Sequence, residues 1–476
     1  MNIAIRIARD EWRCLFRDRA AVASLALLIV LTLLAVLNAH EHQRSVAAER
    51  AHYQAEANHA FEAQPDRHPH RMVHFGHFLF RPLNPLAAFD PGIDGYTGNT
   101  MFLEGHRQNS ANFGDVRQHS LLLRFGQLTP AFVLQVLTPL LLVFFGHAGV
   151  ARERESGTLR VLLAQGVRSR ELVLGKWLAL AGFAGLALAP ALLGLAWLAA
   201  SGQAAWPPVL LLGAAYAGWL ALWTLAVVAV STLCRRGRDA LLALLAVWAL
   251  VVVMVPRWAP DVANTVVALP SRVEDNIHVQ RDYLALGNAH DPADPKFAAF
   301  RASLLQRYGV SRIEDLPVNY KGLVGIEGER QSSALFGRYA DAAFDRQQRQ
   351  GAVVDAFAWI SPTLALRRLS MTASGTDLAA HRRFLEQAEG YRYDLVQGLN
   401  RLQAQELRYA DDTNPDKENR VSRTHWKAFP EFHYAPTPLA DTVRTALPAG
   451  LVLLAWIGAA GALAWWLAAR LGRAVR

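Results

Sequence analysis

The chain is poor in cysteine and in charge. It has two cysteines in 476 residues, Cys14 and Cys234, and both fall in segments predicted below to be cytoplasmic. The sequence therefore excludes a fold held together by a disulfide framework. Charged residues make up 19% of the chain and hydrophobic residues 52%. The apolar residues are concentrated in long runs separated by polar stretches, which is typical of a membrane protein with substantial aqueous parts.

Motifs for catalysis are also missing. The chain has no G-x-x-x-x-G-K-[ST] sequence, because Gly175-Lys176 is followed by Trp177, so it does not bind ATP through a P-loop. It has no H-E-x-x-H and no G-x-S-x-G, and His40-Glu41-His42 lacks the metalloprotease spacing. No Asp or Glu pair lies within an apolar run. These absences weigh against a membrane-embedded enzyme, which stays an alternative.

Six apolar runs are long enough to cross a bilayer, which takes about 20 residues. They cover residues 20–39, 128–149, 177–200, 208–233, 240–256 and 446–469. Arginines and lysines precede the first run, separate the second from the third and the fourth from the fifth, and follow the last. The positive-inside rule then places both termini in the cytoplasm, at residues 1–19 and 470–476, together with the segment 150–176. This distribution accounts for the formal charge of +9 and leaves no basic surface for nucleic acid.

Two large insertions are then extracytoplasmic, 40–127 and 257–443. The first contains clusters of turn formers such as residues 89–99 and predicts an irregular, loop-rich region. The second has apolar residues at spacings of three and four, predicts helices, and is long enough to bury a core of its own. We therefore predict an all-α membrane protein with six transmembrane helices and two extracytoplasmic insertions, the second mainly helical.

The residues before the first run have two interpretations. Ile5, Trp12, Leu15 and Phe16 can share one face of a helix that lies in the cytoplasmic interface, with arginines toward the head groups. Alternatively, this segment is only a positively charged flank that sets the topology. The sequence leaves both open.

The most informative short segment is residues 151–177, ARERESGTLRVLLAQGVRSRELVLGKW. Two acidic residues, Glu153 and Glu155, stand in an otherwise basic loop, which predicts that they have a partner. Gly157 interrupts the helical pattern and Thr158 can cap a new helix. Three leucines fall on one face of that helix, Leu159, Leu162 and Leu163.

Residues 153–159, ERESGTL, resemble the E-x-E-x-G-T-L signature of ABC-2 type transporter permeases; they contain Glu153, Arg154, Glu155, Gly157, Thr158 and Leu159. Gly175-Lys176 also matches the start of the next span in that class. The resemblance implies that this segment is a coupling helix, which inserts into a groove on a separate ABC ATPase subunit. ATP and Mg²⁺ would then bind to that partner, and this chain would carry no cofactor. Six spans imply half of a pathway, completed by a second copy or a sister permease.

The large insertions are similar to those of a bacterial subgroup related to the copper-associated NosY-like permeases. Residues 103–109, LEGHRQN, and Gly375-Thr376-Asp377 carry this similarity. We expect a permease of the bacterial inner membrane that works in export or extracytoplasmic release. A membrane-anchored scaffold or assembly factor, whose outer domains bind a partner, is the other alternative. No substrate can be read from these residues.

Polar residues that could form a site are few. Gln135 and His147 lie in the second span, where they could line a pathway, although an interhelical hydrogen bond is the favoured interpretation. Histidines are abundant in the first insertion, and the metal-ligand candidates there are His68, His70, His74 and His77. Their spacing is not that of a structural zinc site and no cysteine joins them, so we predict no metal site.

The topology can be tested by cysteine labelling. In a variant without the two native cysteines, a cysteine at Gly98 should react with a membrane-impermeant thiol reagent in intact spheroplasts, and a cysteine at Gln165 should not, because the basic residues place them on opposite sides. Labelling at Gln165 would contradict this orientation.

Overall fold

A computed structural model describes residues 3–109, 128–291, 293–414 and 416–473. In chain order the first elements are α1 (Ile3–Arg17), α2 (Arg19–Glu62), α3 (Pro69–Phe75), β1 (His77–Phe80), β2 (Thr100–Leu103), α4 (Pro130–Phe132, a π-helical turn at Val133–Leu137, then Thr138–Gly146), α5 (Ala151–Glu155), α6 (Thr158–Ala164), α7 (Ser169–Ala200), α8 (Trp206–Leu233) and α9 (Gly237–Trp248, a π-helical turn at Ala249–Met254, then Val255–Val266). The remaining helices are α10 (Arg272–Ala285), α11 (Ala298–Tyr308), α12 (Tyr320–Ala356), α13 (Pro362–Ser374), α14 (Leu378–Glu406), α15 (Tyr409–Asp412) and α16 (Leu439–Arg473).

The described residues contain six helices long and apolar enough to cross a membrane, formed by α2, α4 with α5, α7, α8, α9 and α16. The only sheet among them is the antiparallel pair β1–β2, in which His77 is paired with Leu103. The prediction of an all-α membrane protein with six spanning helices is confirmed. Residues 110–127 of the first insertion lie outside the described residues.

The first insertion is more helical than predicted. α2 continues without a break from the apolar run 20–39 to Glu62, a total of 44 residues. Residues 40–62 contain no glycine or proline and are rich in alanine, glutamate, glutamine and arginine, all strong helix formers. The turn formers that suggested an irregular region begin only after this helix.

The two insertions share a core, and we call residues 40–109, 267–360 and 375–438 together the distal domain. Phe61, Met72 and Val73 of the first insertion pack with Leu399 and Trp426 of the second in one buried cluster. A second cluster joins β1 and β2 to α14. A third cluster belongs to the second insertion alone and is centred on Phe297, Tyr320 and Val324. The second insertion therefore buries only part of its core by itself.

One helix of the second insertion lies among the membrane helices. Leu366 and Leu369 of α13 belong to the same buried cluster as the apolar residues of α7, α8 and α16. The Ser361 and Thr363 hydroxyls at its start both donate to the carbonyl of Val251, and the Thr363 bond is 2.8 Å long. α13 has only 13 residues and contains two arginines, so the hydropathy of the sequence gives no sign of it.

The π-helical turns have backbone groups that bind side chains. In α4, the Trp219 and Trp248 indole nitrogens donate to the carbonyls of Leu134 and Val136, each at 3.2 Å. In α9, the bonded carbonyl is that of Val251. Because the bilayer core offers no water, irregular helix turns there need such partners within the protein. These bonds hold α4, α8, α9 and α13 together.

Candidate coupling site

The segment between α4 and α7 forms two short helices separated by a left-handed glycine. α5 ends at Glu155, Gly157 has φ 81°, and α6 begins at Thr158. A residue with a side chain is strained at this φ, whereas glycine adopts it freely. Gly166 ends the segment in the same way, with φ 91°. The sequence predicted the interruption at Gly157 and a new helix after it. The prediction that Thr158 caps this helix is wrong, because Gly157 occupies the cap position and the Thr158 hydroxyl donates to Glu153.

Glu153 contacts Lys176, the residue that follows Gly175 in α7. Its Oε1 accepts a hydrogen bond of 2.8 Å from Lys176 Nζ, and its Oε2 accepts one from the Thr158 hydroxyl. The same ammonium also donates to Glu11 of α1. The Lys176 side chain is 6% exposed, so a cation removed from water binds two carboxylates from two other elements. We call Glu11, Glu153 and Lys176 the lysine triad.

α1 packs against α7 through glycines. A Cβ atom at Gly175 would lie 2.7 Å from the carbonyl oxygen of Ala4, and one at Gly182 would lie 2.3 Å from the Trp12 ring. The packed face of α1 also includes Ile7 and Leu15. Such close approach fixes the position of α1 on α7, which brings Glu11 to Lys176.

The apolar face of α1 therefore differs from the predicted one. Trp12 and Leu15 are partly buried, but Ile5 and Phe16 are 52% and 41% exposed. Residues 4, 7, 8, 11, 12 and 15, at helical spacing, form the packed face instead. The small side chain of Ala4 made this face hard to recognise, because it allows contact without adding hydrophobicity.

Arg154 and Glu155 bind the ends of two neighbouring membrane helices. Arg154 Nη1 donates to the carbonyls of Leu233 and Cys234, at 3.2 and 3.1 Å, where α8 ends. Glu155 Oε2 accepts the N–H of Gly237, at 3.1 Å, where α9 begins. Each charge faces the helix end of opposite partial charge, which is favourable. The three charged residues of the motif thus connect α5 to α7, α8 and α9.

The predicted leucine face of α6 points into the bundle. Leu159 is 2% exposed, and Leu162 and Leu163 pack against the main apolar cluster. The opposite face is exposed and carries Arg160 and Val161, the latter 55% exposed. It continues to Gln165 in the following turn.

The two polar residues of the second span have different environments. Gln135 is buried, and its amide donates to the Tyr216 hydroxyl at 2.7 Å, which in turn is 3.0 Å from the Ser370 hydroxyl of α13. His147 Nδ1 is 2.8 Å from the carbonyl of Phe144 in its own helix. Gln135 therefore makes the interhelical hydrogen bond that the sequence favoured.

The histidines of the first insertion separate into two groups. His68 is bound to Asp412 at 2.8 Å, and His77 is buried in the core, where desolvation lowers its pKa to about 4. His70 and His74 instead meet two histidines outside the predicted candidate set, His106 and His290. We call these four the histidine cluster. The spacing of His70 and His74, four residues apart on one helix face, was the one available signal, because His106 and His290 are far away in the sequence.

Comparison with known families agrees with the resemblance of the coupling segment. The model of the ABC-2 family transporter protein matches residues 5–294, which is more than half of the chain. The chain belongs to the ABC-2 transporter family. It is therefore a membrane-spanning permease subunit of an ABC transporter rather than an enzyme. A domain of unknown function, DUF3526, matches residues 272–435, and no curated protein matches the chain.

Membership of the ABC-2 family implies an ABC ATPase partner, and the matched region contains α1, the lysine triad and the α5–α6 segment. The distal domain extends beyond the residues that match the ABC-2 family. Most of that domain's second insertion corresponds to the domain of unknown function.

The lysine triad predicts that substitutions of its two carboxylates do not have additive effects on the free energy of unfolding. Either Glu11→Gln or Glu153→Gln leaves one carboxylate on Lys176, but the double variant leaves a buried ammonium without an anion. A buried charge that loses its partner costs ~3–5 kcal/mol, and we expect about 3 here because both carboxylates are partly exposed. The double variant should therefore lose more free energy of unfolding than the two single variants added together.

A matched control is Asp10→Asn combined with Glu153→Gln, since Asp10 is exposed and its ion pair is with Arg13. The losses of unfolding free energy from these two substitutions should be additive. Urea unfolding titrations of the detergent-purified permease measure both this pair and the Glu11 and Glu153 variants. Additivity of Glu11 and Glu153 as well would show that the two carboxylates do not share one cation.

Proposed function

We propose that this ABC-2 permease transmits ATP-driven movement from a separate ATPase subunit to its membrane helices through α5 and α6. The observation that carries the proposal is the lysine triad, since one buried ammonium joins α5 to both α1 and α7. A force on α6 would reach α7 through Glu153, and α8 and α9 through Arg154 and Glu155. The carboxylates would thus act inside the permease.

The surface offered to the ATPase is the exposed face of α6, with Arg160, Val161 and Gln165. ATP and Mg²⁺ would bind to the partner subunit. The positive-inside distribution supports placing this face and both termini in the cytoplasm, and the distal domain outside the bacterial inner membrane. The distal domain could then receive or release cargo. A second copy or a sister permease would complete the pathway.

We also propose a relationship to the NosY-like subgroup, whose insertions the large distal domain resembles. The distal domain supports export or extracytoplasmic release as the task, because a transporter that delivers cargo outside the cell can use a domain there to guide it.

The docking surface predicts a selective loss of the ATPase. Val161→Glu places a charge in the proposed interface, and an unpaired charge there should weaken association ~10–100-fold, which is about 1.4–3 kcal/mol. Val161 is exposed in the isolated permease, so the fold should be retained. Copurification of the co-expressed ATPase with the tagged permease measures the effect.

The matched control is Val273→Glu in α10, a residue that is 68% exposed in the distal domain. It should leave copurification unchanged. Wild-type recovery of the ATPase with Val161→Glu would exclude α6 as the docking surface.

A further inference from the structure

The histidine cluster brings together side chains from three separate parts of the distal domain. His70 and His74 lie on α3, His106 lies in the turn after β2, and His290 lies in the loop after α10. Their ligand nitrogens all lie within 4.8 Å of one another. The Nε2 atoms of His70 and His74 are 3.2 Å apart. Three of the four residues come from the first insertion and one from the second.

The cluster has an unsatisfied nitrogen. His106 Nε2 is buried and has no hydrogen-bond partner among the described residues. His70 and His106 are partly buried in the cluster, whereas His74 and His290 are exposed. The Nε2 atoms of His70 and His74 can share a proton in a hydrogen bond, but His106 Nε2 has no such partner, and a bound cation would satisfy it. A buried polar atom without a partner is itself costly.

Polar groups around the cluster orient two of the rings. Glu329 Oε2 accepts the backbone N–H of His106 at 3.2 Å and lies 3.6 Å from its Nδ1. Glu329 is fully buried and is fixed by Arg392, whose Nη2 is 2.7 Å away. On the other side, Asn288 Oδ1 lies 3.2 Å from His290 Nδ1. Glu329 and Asn288 thus lie beside the Nδ1 atoms of His106 and His290, so that the Nε2 atoms remain available to bind a metal ion. Metal-bound histidines commonly have such a polar group beside their second ring nitrogen.

The backbone at His106 supports the same conclusion. Its φ is 62°, in the left-handed region that residues other than glycine seldom occupy. It is the only such residue besides glycines in the described part of the chain. The preceding Gly105 is packed so closely that a Cβ atom there would lie 2.1 Å from Val73. Strained positions of this kind persist where the surroundings fix them, and they concentrate at ligand-binding sites.

We propose that the histidine cluster binds one transition-metal ion of the imidazole-preferring class, for which Zn²⁺ is the representative. The ligands would be His70, His74, His106 and His290. Four nitrogens bound to Zn²⁺ at about 2.0–2.1 Å in a tetrahedron lie about 3.3 Å apart. The His70–His74 pair already has this separation, and the two exposed members, His74 and His290, have room to rotate.

The donor set excludes the hard cations. Ca²⁺ and Mg²⁺ take oxygen ligands, whereas the converging atoms here are imidazole nitrogens, which suit Zn²⁺, Cu²⁺ and Ni²⁺. An ion can reach the site, because His74, His106 and His290 line a cavity of about 1460 Å³ in the distal domain. Since the ligands come from both insertions, the bound ion would connect them. This inference concerns the distal domain and does not depend on the coupling proposal.

The test uses the full-length permease, purified in detergent through a histidine-free affinity tag and stripped with a chelator. Calorimetric titration should show about one Zn²⁺ bound per chain. His70→Ala/His74→Ala should weaken binding by ~100-fold or more, since loss of an outer partner alone costs ~10–100-fold. His290→Ala, in an exposed loop, should weaken it too and guards against a folding defect in α3. With Co²⁺ as the probe, the wild type should give the visible absorption of a tetrahedral site.

The matched control is His52→Ala/His59→Ala, which removes two exposed histidines of α2 and should bind Zn²⁺ like the wild type. Binding should also raise the thermal unfolding midpoint of the wild type but not of His70→Ala/His74→Ala. The proposal is overturned if the wild type binds no Zn²⁺, or if the cluster variants and the control bind it equally.

Discussion

A buried ammonium group is the constraint on which the packing of α1, α5 and α7 depends. Lys176 lies near the start of a membrane helix, where its charge is removed from water, and such a charge is tolerated only with close anionic partners. The partners are Glu11 and Glu153, so α1 and α5 must both reach α7. The close packing at Gly175 and Gly182 makes this possible for α1, and the turn at Gly157 lets α6 bring Thr158 back to Glu153.

The same requirement for internal partners connects the bundle to the distal domain. Gln135, Tyr216 and Ser370 form a buried chain of hydrogen bonds from α4 through α8 to α13. At the far end of α13, the Thr376 hydroxyl donates to the carbonyl of Asp90 at 3.0 Å. A change in the relative position of α4 and α8 would therefore displace α13 and, through Thr376, the segment of the first insertion around Asp90.

Hydropathy and basic flanks were sufficient to predict the six spanning helices, because the bilayer sets both their length and their composition. The coupling motif was also visible, since acidic residues in a basic loop need a partner. The identity of that partner could not be predicted. Lys176 lies 23 positions beyond Glu153, in α7, with α6 between them. Glu11 comes from a helix whose packed face begins at an alanine.

Other features were hidden for related reasons. α13 is too short and too polar for any hydropathy window, and its burial depends on neighbours far away in the sequence. The continuation of α2 could have been predicted from residues 40–62, which contain good helix formers and no breaker. The histidine cluster could be predicted only in part. The pair on α3 has helical spacing, but His106 and His290 are separated by 184 positions and meet only through the packing of the two insertions.

We expect α1, α5–α6 and the start of α7 to move as one unit when the ATPase closes. Spin labels at Arg9 and Gln165, in a variant without the native cysteines, report the distance between α1 and the end of α6. A second pair at Gln165 and Leu454, a residue of α16 that is 63% exposed, reports the distance from α6 to a helix outside this unit. In the complex with its ATPase, trapping with ATP and vanadate should leave the first distance unchanged and alter the second. A change in the first distance, with the second constant, would contradict the account.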